Sequence, residues 1–472
     1  MSSSSFINYS ASYTDLYQLT MAQVYFEQGR KDTPVVFDYF FRKLPFKGGY
    51  VLTAGLGALL DILEDFYFTT DDLAYLKEIG FQRNFLNFLK DYKFKGNIRA
   101  FPEGDLVFAN CPVLTVEGNL IDGQITETII LNVLNFQSLV ATKASRMRQV
   151  AKDKILIDFG LRRAQGPASY YASRAAVVGG FNATSHVKAA LDFDIDPSGT
   201  MAHSFIQSMP DELSAFRAYA ESQKDKCVLL VDTYDTLHSG VPNAIKVGQE
   251  LAEKGHRLLG IRLDSGDLSY LAKESRKLLD QAGLNYVKIA ASNQLDEFVI
   301  KSLEEQHAPI DIYGIGTSLV TGRPDGALDG VYKMSEINNN PTIKLSENIV
   351  KITLPGNKSV YRLFDKNGEY AGSDLVALRD EDVLKQMHHP SDPYKSMRIE
   401  ELKKEPVLGE VMIGGKKVKA NPTISEINAF SQKQLKKLPD EFKRFENPHI
   451  YKVGISHGLQ TLRNRLIQKH TL

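Results

Sequence analysis

From Lys154 to Ser318 the sequence repeats one pattern: a short apolar run, then polar and glycine residues, then a helix-like segment. The runs are KILIDFGLRR (154–163), VVGGFNATS (177–185), GTMAHS (199–204), CVLLVDTYDT (227–236), LLGIRLDSGD (258–267), YVKIAASNQ (286–294) and IDIYGIGTS (310–318). Successive runs begin about 20 to 31 residues apart, the size of a compact βα unit. Helices predicted over 164–176, 183–191, 205–220, 244–254, 267–282 and 295–305 fill the intervals. Strands buried on both faces read as continuous apolar runs, and repeated βα steps lay such strands parallel. Seven steps point to an α/β barrel, or one lacking a unit, more than to an open sheet. Barrels bind ligands at the C-terminal ends of their strands, and every polar cluster above falls at such an end.

The flanks have a different character. A helix over 13–30 opens at Thr14 or Asp15 and stops at Gly29. A strand over 34–41 and a basic, glycine-containing loop follow, then helices over 52–66, 70–79 and 84–92, strands within 96–118, and one long helix over 124–152. Beyond Thr317, residues 330–378 alternate with turn signals (NNNPT, PGNK, DKNGEY) and read as β hairpins too short for a core of their own. A basic helix is expected over 422–442, its positive face solvated. The expected division is an N-terminal α+β domain (1–125), the barrel with the active site (126–329), and C-terminal hairpins and helices (330–472) packing back on both.

Composition sets limits on function. With 57 Lys+Arg against 57 Asp+Glu among 472 residues, the net charge of zero argues against a general nucleic-acid or polyanion binder. Cys111 and Cys227 have no metal-site or CxxC spacing. No apolar run reaches membrane-spanning length, so no membrane association is expected. The opening MSSSSFINYSASYTD lacks the basic and apolar regions of a secretory signal. A cytoplasmic location is expected.

The strand ends carry specific chemistry. GTMAHSF places His203 where a strand should hand over to a helix, and an imidazole nitrogen is a competent nucleophile toward phosphorus. DFGLRR offers Asp158 with Arg162 and Arg163, which can clamp a carboxylate or phosphate or form a salt bridge. IRLDSGD adds Arg262, Asp264, Ser265, Gly266 and Asp267. Its carboxylates suit Mg²⁺ or its waters, although Asp267 could equally cap the next helix. GIGTS brings Gly314, Gly316 and Thr317, small residues that let backbone N–H groups approach a phosphate. Asp232 and Asp235 of DTYDT loosely echo a diphosphosugar loop of Rossmann-like phosphoribosyltransferases, where the two acids are adjacent; we read that motif as a decoy. Together these groups suit Mg²⁺, an anionic phosphosugar and a small carboxylate partner, with displacement at the sugar C1.

In the order TDLYQLTMA, FDYFFRKLPFKGGYVLTAGL, DFGLRRAQG, SRAAVVGGFNATS, GTMAHSF, DTYDT, GIRLDSGDL, GIGTSLVT, LDGVYK and FENPHIYKVGIS, the chain resembles the nicotinate phosphoribosyltransferase family over most of its length. The resemblance implies a type II phosphoribosyltransferase: an irregular, incomplete α/β barrel with an N-terminal α+β domain, joined by C-terminal segments, and a homodimer. It implies nicotinate and phosphoribosyl diphosphate giving nicotinate mononucleotide, the first step of NAD salvage from nicotinate. The reaction is ligase-type, coupled to ATP hydrolysis through transient phosphorylation of His203, with Mg²⁺ whose ligands are left open. Catalytic roles are expected for His203 and Asp264. Tyr17, Arg162, Thr200 and Arg262 match positions around nicotinate, and Gly316 and Thr317 match the phosphoribosyl phosphate loop. Gly160, Arg163, Ser204, Ser265 and Gly266 complete the expected substrate site.

Three rivals remain at this stage. Nicotinamide phosphoribosyltransferase shares the fold, but an amide needs no arginine pair. A phosphosugar lyase or aldolase would need a Schiff-base lysine at a strand end, and only Lys288 is available. A non-catalytic phosphosugar sensor would not need to retain the His, Arg and Asp groups.

Overall fold

The computed structural model describes residues 9–348 and 351–471. Within Lys143–Pro324, one of two compact units, the apolar runs form a six-stranded parallel sheet. Its spatial order is Ala183–Thr184, Ile155–Asp158, Ile312–Ile315, Lys288–Ser292, Gly260–Leu263, Val228–Leu230. All its pairs are parallel. Except for Ala183–Thr184 and Val228–Leu230, strands consecutive in the chain lie side by side, and the last, Ile312–Ile315, pairs with the first, Ile155–Asp158. The sheet is therefore an α/β barrel left open at one seam, between Ala183–Thr184 and Val228–Leu230.

That seam is where the third expected strand, 199–204, would lie. It is not a strand. Just before it Pro197 makes an isolated bridge to Thr184, and the segment itself runs as loop into the helix His203–Gln207. Proline has no N–H for a ladder, and Gly199 offers no side chain to bury. The expected run 177–185 likewise contracts to Ala183–Thr184, because Val177 and Val178 end the helix Pro167–Val178. The helix expected over 205–220 is two, His203–Gln207 and Glu212–Gln223, broken around Pro210. Aspartates at the loop ends start the later helices: Asp211, Asp235, Asp267 and Asp296 each accept a backbone N–H of the turn they cap. Asp267 thus takes the capping role.

The other unit joins the residues up to Thr142 with those from Asp325. The division falls inside the helix Glu127–Ala151 instead of before it. Lys143 and Arg146 on its second half pair with the buried Glu297 at 2.5 and 2.9 Å, tying that half to the barrel. In the other unit, Pro34–Phe41 pairs antiparallel with both Leu114–Asn119 and Gly330–Ile337, within a seven-stranded sheet. The six-stranded sheet of this unit holds Lys358–Phe364, Tyr370–Leu378 and Lys452–Ser456. The region 330–378 is therefore not one run of hairpins, since its strands enter two sheets. The basic helix expected over 422–442 is divided at Pro439 into Ile424–Lys437 and Asp440–Lys443. Among the described residues no helix is long and apolar enough to cross a membrane, and Cys111 and Cys227 are buried and free.

A buried ionic cluster holds this unit's early and late segments together. Arg362 donates to Asp105 Oδ1 at 2.7 Å and, through Nε and Nη2, to both oxygens of Asp374 at 3.1 Å. Tyr451 donates its hydroxyl to Asp374 at 2.9 Å. Removing one partner strands the others uncompensated, which costs about 3–5 kcal/mol. Arg362→Met is expected to lower unfolding stability by that amount, read as a lower urea midpoint at unchanged slope.

Candidate active site

The C-terminal strand ends of the barrel unit converge by register. Leu230 and Ala290 both lie opposite Arg262, on either side of the Gly260–Leu263 strand. Two residues further along each chain stand Asp232, Asp264 and Ser292, a tier contributed by three adjacent strands. Asp232 Oδ2 accepts the Asp264 N–H at 2.8 Å and the Ser265 hydroxyl at 2.6 Å. Ser292 donates its hydroxyl to Asp264 Oδ1. Asp232 Oδ1 is buried without a hydrogen-bond partner.

His203 begins its helix with a partly exposed ring. Its Nδ1 is 3.0 Å from Thr233 Oγ1, and its Nε2 is 3.8 Å from Asp264 Oδ2. Ser204 follows it on the exposed side. The loop before the helix supplies Thr200, whose hydroxyl accepts from Arg262 Nη1. Arg262 Nε is buried and unpartnered. Burial lowers the Arg262 pKa; Asp264 and Asp232 oppose that shift and Arg162 adds to it, which places a second cation within electrostatic reach. Arg262 stays charged regardless, since guanidinium does not lose its proton in proteins.

Asp158 plays a different part from its neighbours. It is buried, and burial pushes its carboxyl pKa up against hydrogen bonds from Ser173, Gly160 and Thr184. Ser173 and Thr184 donate to Oδ2 at 2.7 and 2.8 Å, and the Gly160 N–H to Oδ1 at 2.7 Å. The carboxylate thereby fixes the turn that exposes Arg162 and Arg163 on the short helix Leu161–Arg163. Gly160 has no room for a side chain: a Cβ would sit 2.1 Å from Val320 and 2.9 Å from Asp158 Oδ1. Gly160→Ala must displace the turn, with a stability loss of about 1–3 kcal/mol. The expected readout is a lower thermal midpoint together with weakened substrate binding.

Gly316 and the exposed Thr317 lead into the helix Thr317–Val320, beside the Phe159 backbone. Gly266 sits in the turn after Ser265 with φ of +75°, a left-handed conformation that suits glycine. The structure thus brings His203 to Asp264, Arg262 to Thr200 and Ser265 to Asp232. Tyr17 belongs to the other unit, exposed on the helix Leu16–Glu27. Three residues of this constellation went unassigned in the sequence: Thr233, Ser292 and Asp232. Asp232 lies in the supposed decoy, yet it organises the Asp264 loop. The available signal was strand register, which sets 232, 264 and 292 level.

An α/β barrel open at one seam, with cationic and carboxylate groups on successive strand ends, defines a type II phosphoribosyltransferase. Family models described as the N-terminal domain, the family and the C-terminal domain of nicotinate phosphoribosyltransferase match residues 13–135, 155–390 and 357–463. A nicotinate phosphoribosyltransferase of Bacillus subtilis is 43% identical over 454 residues, covering 94% of this chain and 92% of the relative. One from Dictyostelium discoideum is 39% identical over 513 residues, covering 96% and 87%. The crystal structure of human nicotinic acid phosphoribosyltransferase superimposes with a TM-score of 0.86 at 32% identity, covering 96% of this chain and 99% of the human one. The chain belongs to the nicotinate phosphoribosyltransferase family.

Proposed function

We propose that this protein converts nicotinate, phosphoribosyl diphosphate, ATP and water to nicotinate mononucleotide, diphosphate, ADP and phosphate, the entry of nicotinate into NAD. The observation that carries this reading is the Arg262–Thr200 cradle on the strand next to Asp232 and beside the His203–Asp264 pair. Arg262, with Arg162 close by, is a cationic seat for a carboxylate. The pyridine nitrogen attacks the ribose C1, the C1–O bond breaks, and the electron pair leaves with diphosphate. Catalysis at C1 is then positioning and electrostatics. Gly316 and Thr317 take the phosphoribosyl phosphate, and Gly160, Arg163, Ser204, Ser265 and Gly266 line the substrates. Tyr17 stacks on nicotinate from a second copy of the chain in a homodimer.

Mg²⁺ takes oxygen ligands and keeps several waters, so two carboxylates plus substrate phosphates suffice to hold it. The unpartnered Asp232 Oδ1 and the Asp264 carboxylate fit that donor set. Among the described residues no cluster of three or more side-chain ligands is arranged for a metal, so the ion would enter with the phosphates. Bound there, it would neutralise charge developing on diphosphate.

His203 accepts the γ-phosphoryl group of ATP. The test is mononucleotide formation by purified protein with phosphoribosyl diphosphate and Mg²⁺, given nicotinate or nicotinamide, each with and without ATP. Product from nicotinate, increased by ATP, is expected. Product mainly from nicotinamide would overturn the role of the arginine pair. No product from either would overturn the enzymatic reading in favour of ligand sensing.

A further inference from the structure

The unit that joins both ends of the chain contains a cavity of about 910 Å³, lined by residues of both its larger sheets. The Asp38–Lys358 ion pair, at 2.8 Å, ties those sheets together and forms part of the lining. Residues two apart on a strand share a face. Val360 therefore faces as Lys358 does, and Val376, Ile455 and His388, successive register partners across the sheet, face the same way. His388 thus stands on the face that meets Asp38, and its Nε2 is buried without a hydrogen-bond partner. Arg463, on the helix His457–Thr471, also lines the cavity. It is 6% exposed, and its Nε has no hydrogen-bond partner.

Among the described residues Asp38 is the one carboxylate on the lining, and Lys358 already neutralises it. Neither Arg463 nor Lys452, on the same lining, has an ion pair among the described residues. Buried charges are normally paired, because an isolated one is costly to take out of water. A cavity walled by one sign of charge also concentrates ions of the other sign. The rim adds apolar surface that stays in solvent: Tyr394 is 96% exposed and Ile450 79%. A bare phosphate would leave that surface, and most of the volume, unused. Small-molecule sites of this size combine mostly apolar walls with a few polar anchors. We propose that this cavity binds a nucleotide, its phosphate on Arg463 beside His388 and its base against Tyr394. The ligand supplies the counter-ion that the chain withholds from Arg463. This site lies in the unit outside the barrel and does not depend on the reaction proposed above.

The chain contains no tryptophan, so Tyr394→Trp in the full-length protein gives a single fluorescent reporter at the rim. Titration with AMP is expected to change its emission saturably. Adenosine, which lacks the phosphate, is expected to give no saturation over the same range. Adding Arg463→Met is expected to raise the AMP half-saturation by about 30-fold or more, the cost of removing one side of a buried charge pair. Without ligand that variant should melt no lower than its parent, since an unpaired buried charge has been replaced by an apolar side chain. His388→Leu is expected to weaken AMP by about tenfold or more, through a lost hydrogen bond to a charged group. That variant decides the matter should Arg463→Met fail to fold. The proposal is overturned by the absence of a saturable change, by an equal response to adenosine, or by an unchanged half-saturation in the variants. Displacement of AMP by phosphoribosyl diphosphate would also overturn it, by making the cavity part of the transfer site.

Discussion

His203→Ala is expected to abolish ATP hydrolysis and the stimulation of transfer by ATP, while slow ATP-independent formation of nicotinate mononucleotide persists. The two reactions separate because they use different parts of one site. Phosphoryl transfer from ATP needs a nucleophile, and His203 is the imidazole placed beside Asp264 at the open seam. Removing a nucleophile from an enzyme of this kind costs at least about 10³-fold in its own step. Displacement at C1 has no covalent requirement. Arg262 on Thr200, and Asp232 holding the Asp264 loop, stay in place when the ring is removed. The check is parallel measurement of ADP and mononucleotide release. Loss of all transfer with ATP hydrolysis intact would remove His203 from the role assigned to it.

The barrel was readable because each of its longer strands is buried on both faces and so appears as an unbroken apolar run, as in CVLLV and IDIYGI. The stretch GTMAHS has no such run. Its strand assignment came from spacing alone, and spacing cannot tell a strand from a chain that passes through a strand's place without a ladder. An incomplete barrel was expected, but the place of its open seam was therefore invisible. The same limit hid Asp232. In sequence the acids of DTYDT are separated by two residues, and adjacency within one loop was the wrong test. Asp232 accepts the backbone N–H of Asp264 across the sheet, 32 residues away, where Leu230 lies opposite Arg262. Thr233 and Ser292 were missed for the same reason: a hydroxyl acquires a role only from what faces it in space. In the other unit, the turn signals around 330–378 marked strand ends correctly. Nothing local stated that Gly330–Ile337 would pair with Pro34–Phe41, about 300 residues earlier in a chain whose ends fold together.

Arg262→Gln is expected to raise the KM for nicotinate by about 100-fold or more while leaving turnover of nicotinamide, if measurable, little changed. Among the described residues the guanidinium has one hydrogen-bond partner, the Thr200 hydroxyl on Nη1, and its Nε is buried with none. A cation in that state gains a full partner only when an anion arrives. Truncating one side of such a desolvated charge pair costs about 2–5 kcal/mol, and each 1.36 kcal/mol is a factor of about ten. Glutamine keeps a donor for Thr200, so the loop before His203 keeps its anchor and ATP hydrolysis should survive. The comparison between acid and amide makes the result specific. If Arg262 instead held the phosphoribosyl group, both substrates would suffer equally, and the KM for phosphoribosyl diphosphate would rise in place of that for nicotinate. A fall confined to nicotinate, with the ratio of kcat/KM for acid over amide dropping by about the same 100-fold, would assign acid recognition to this one buried charge.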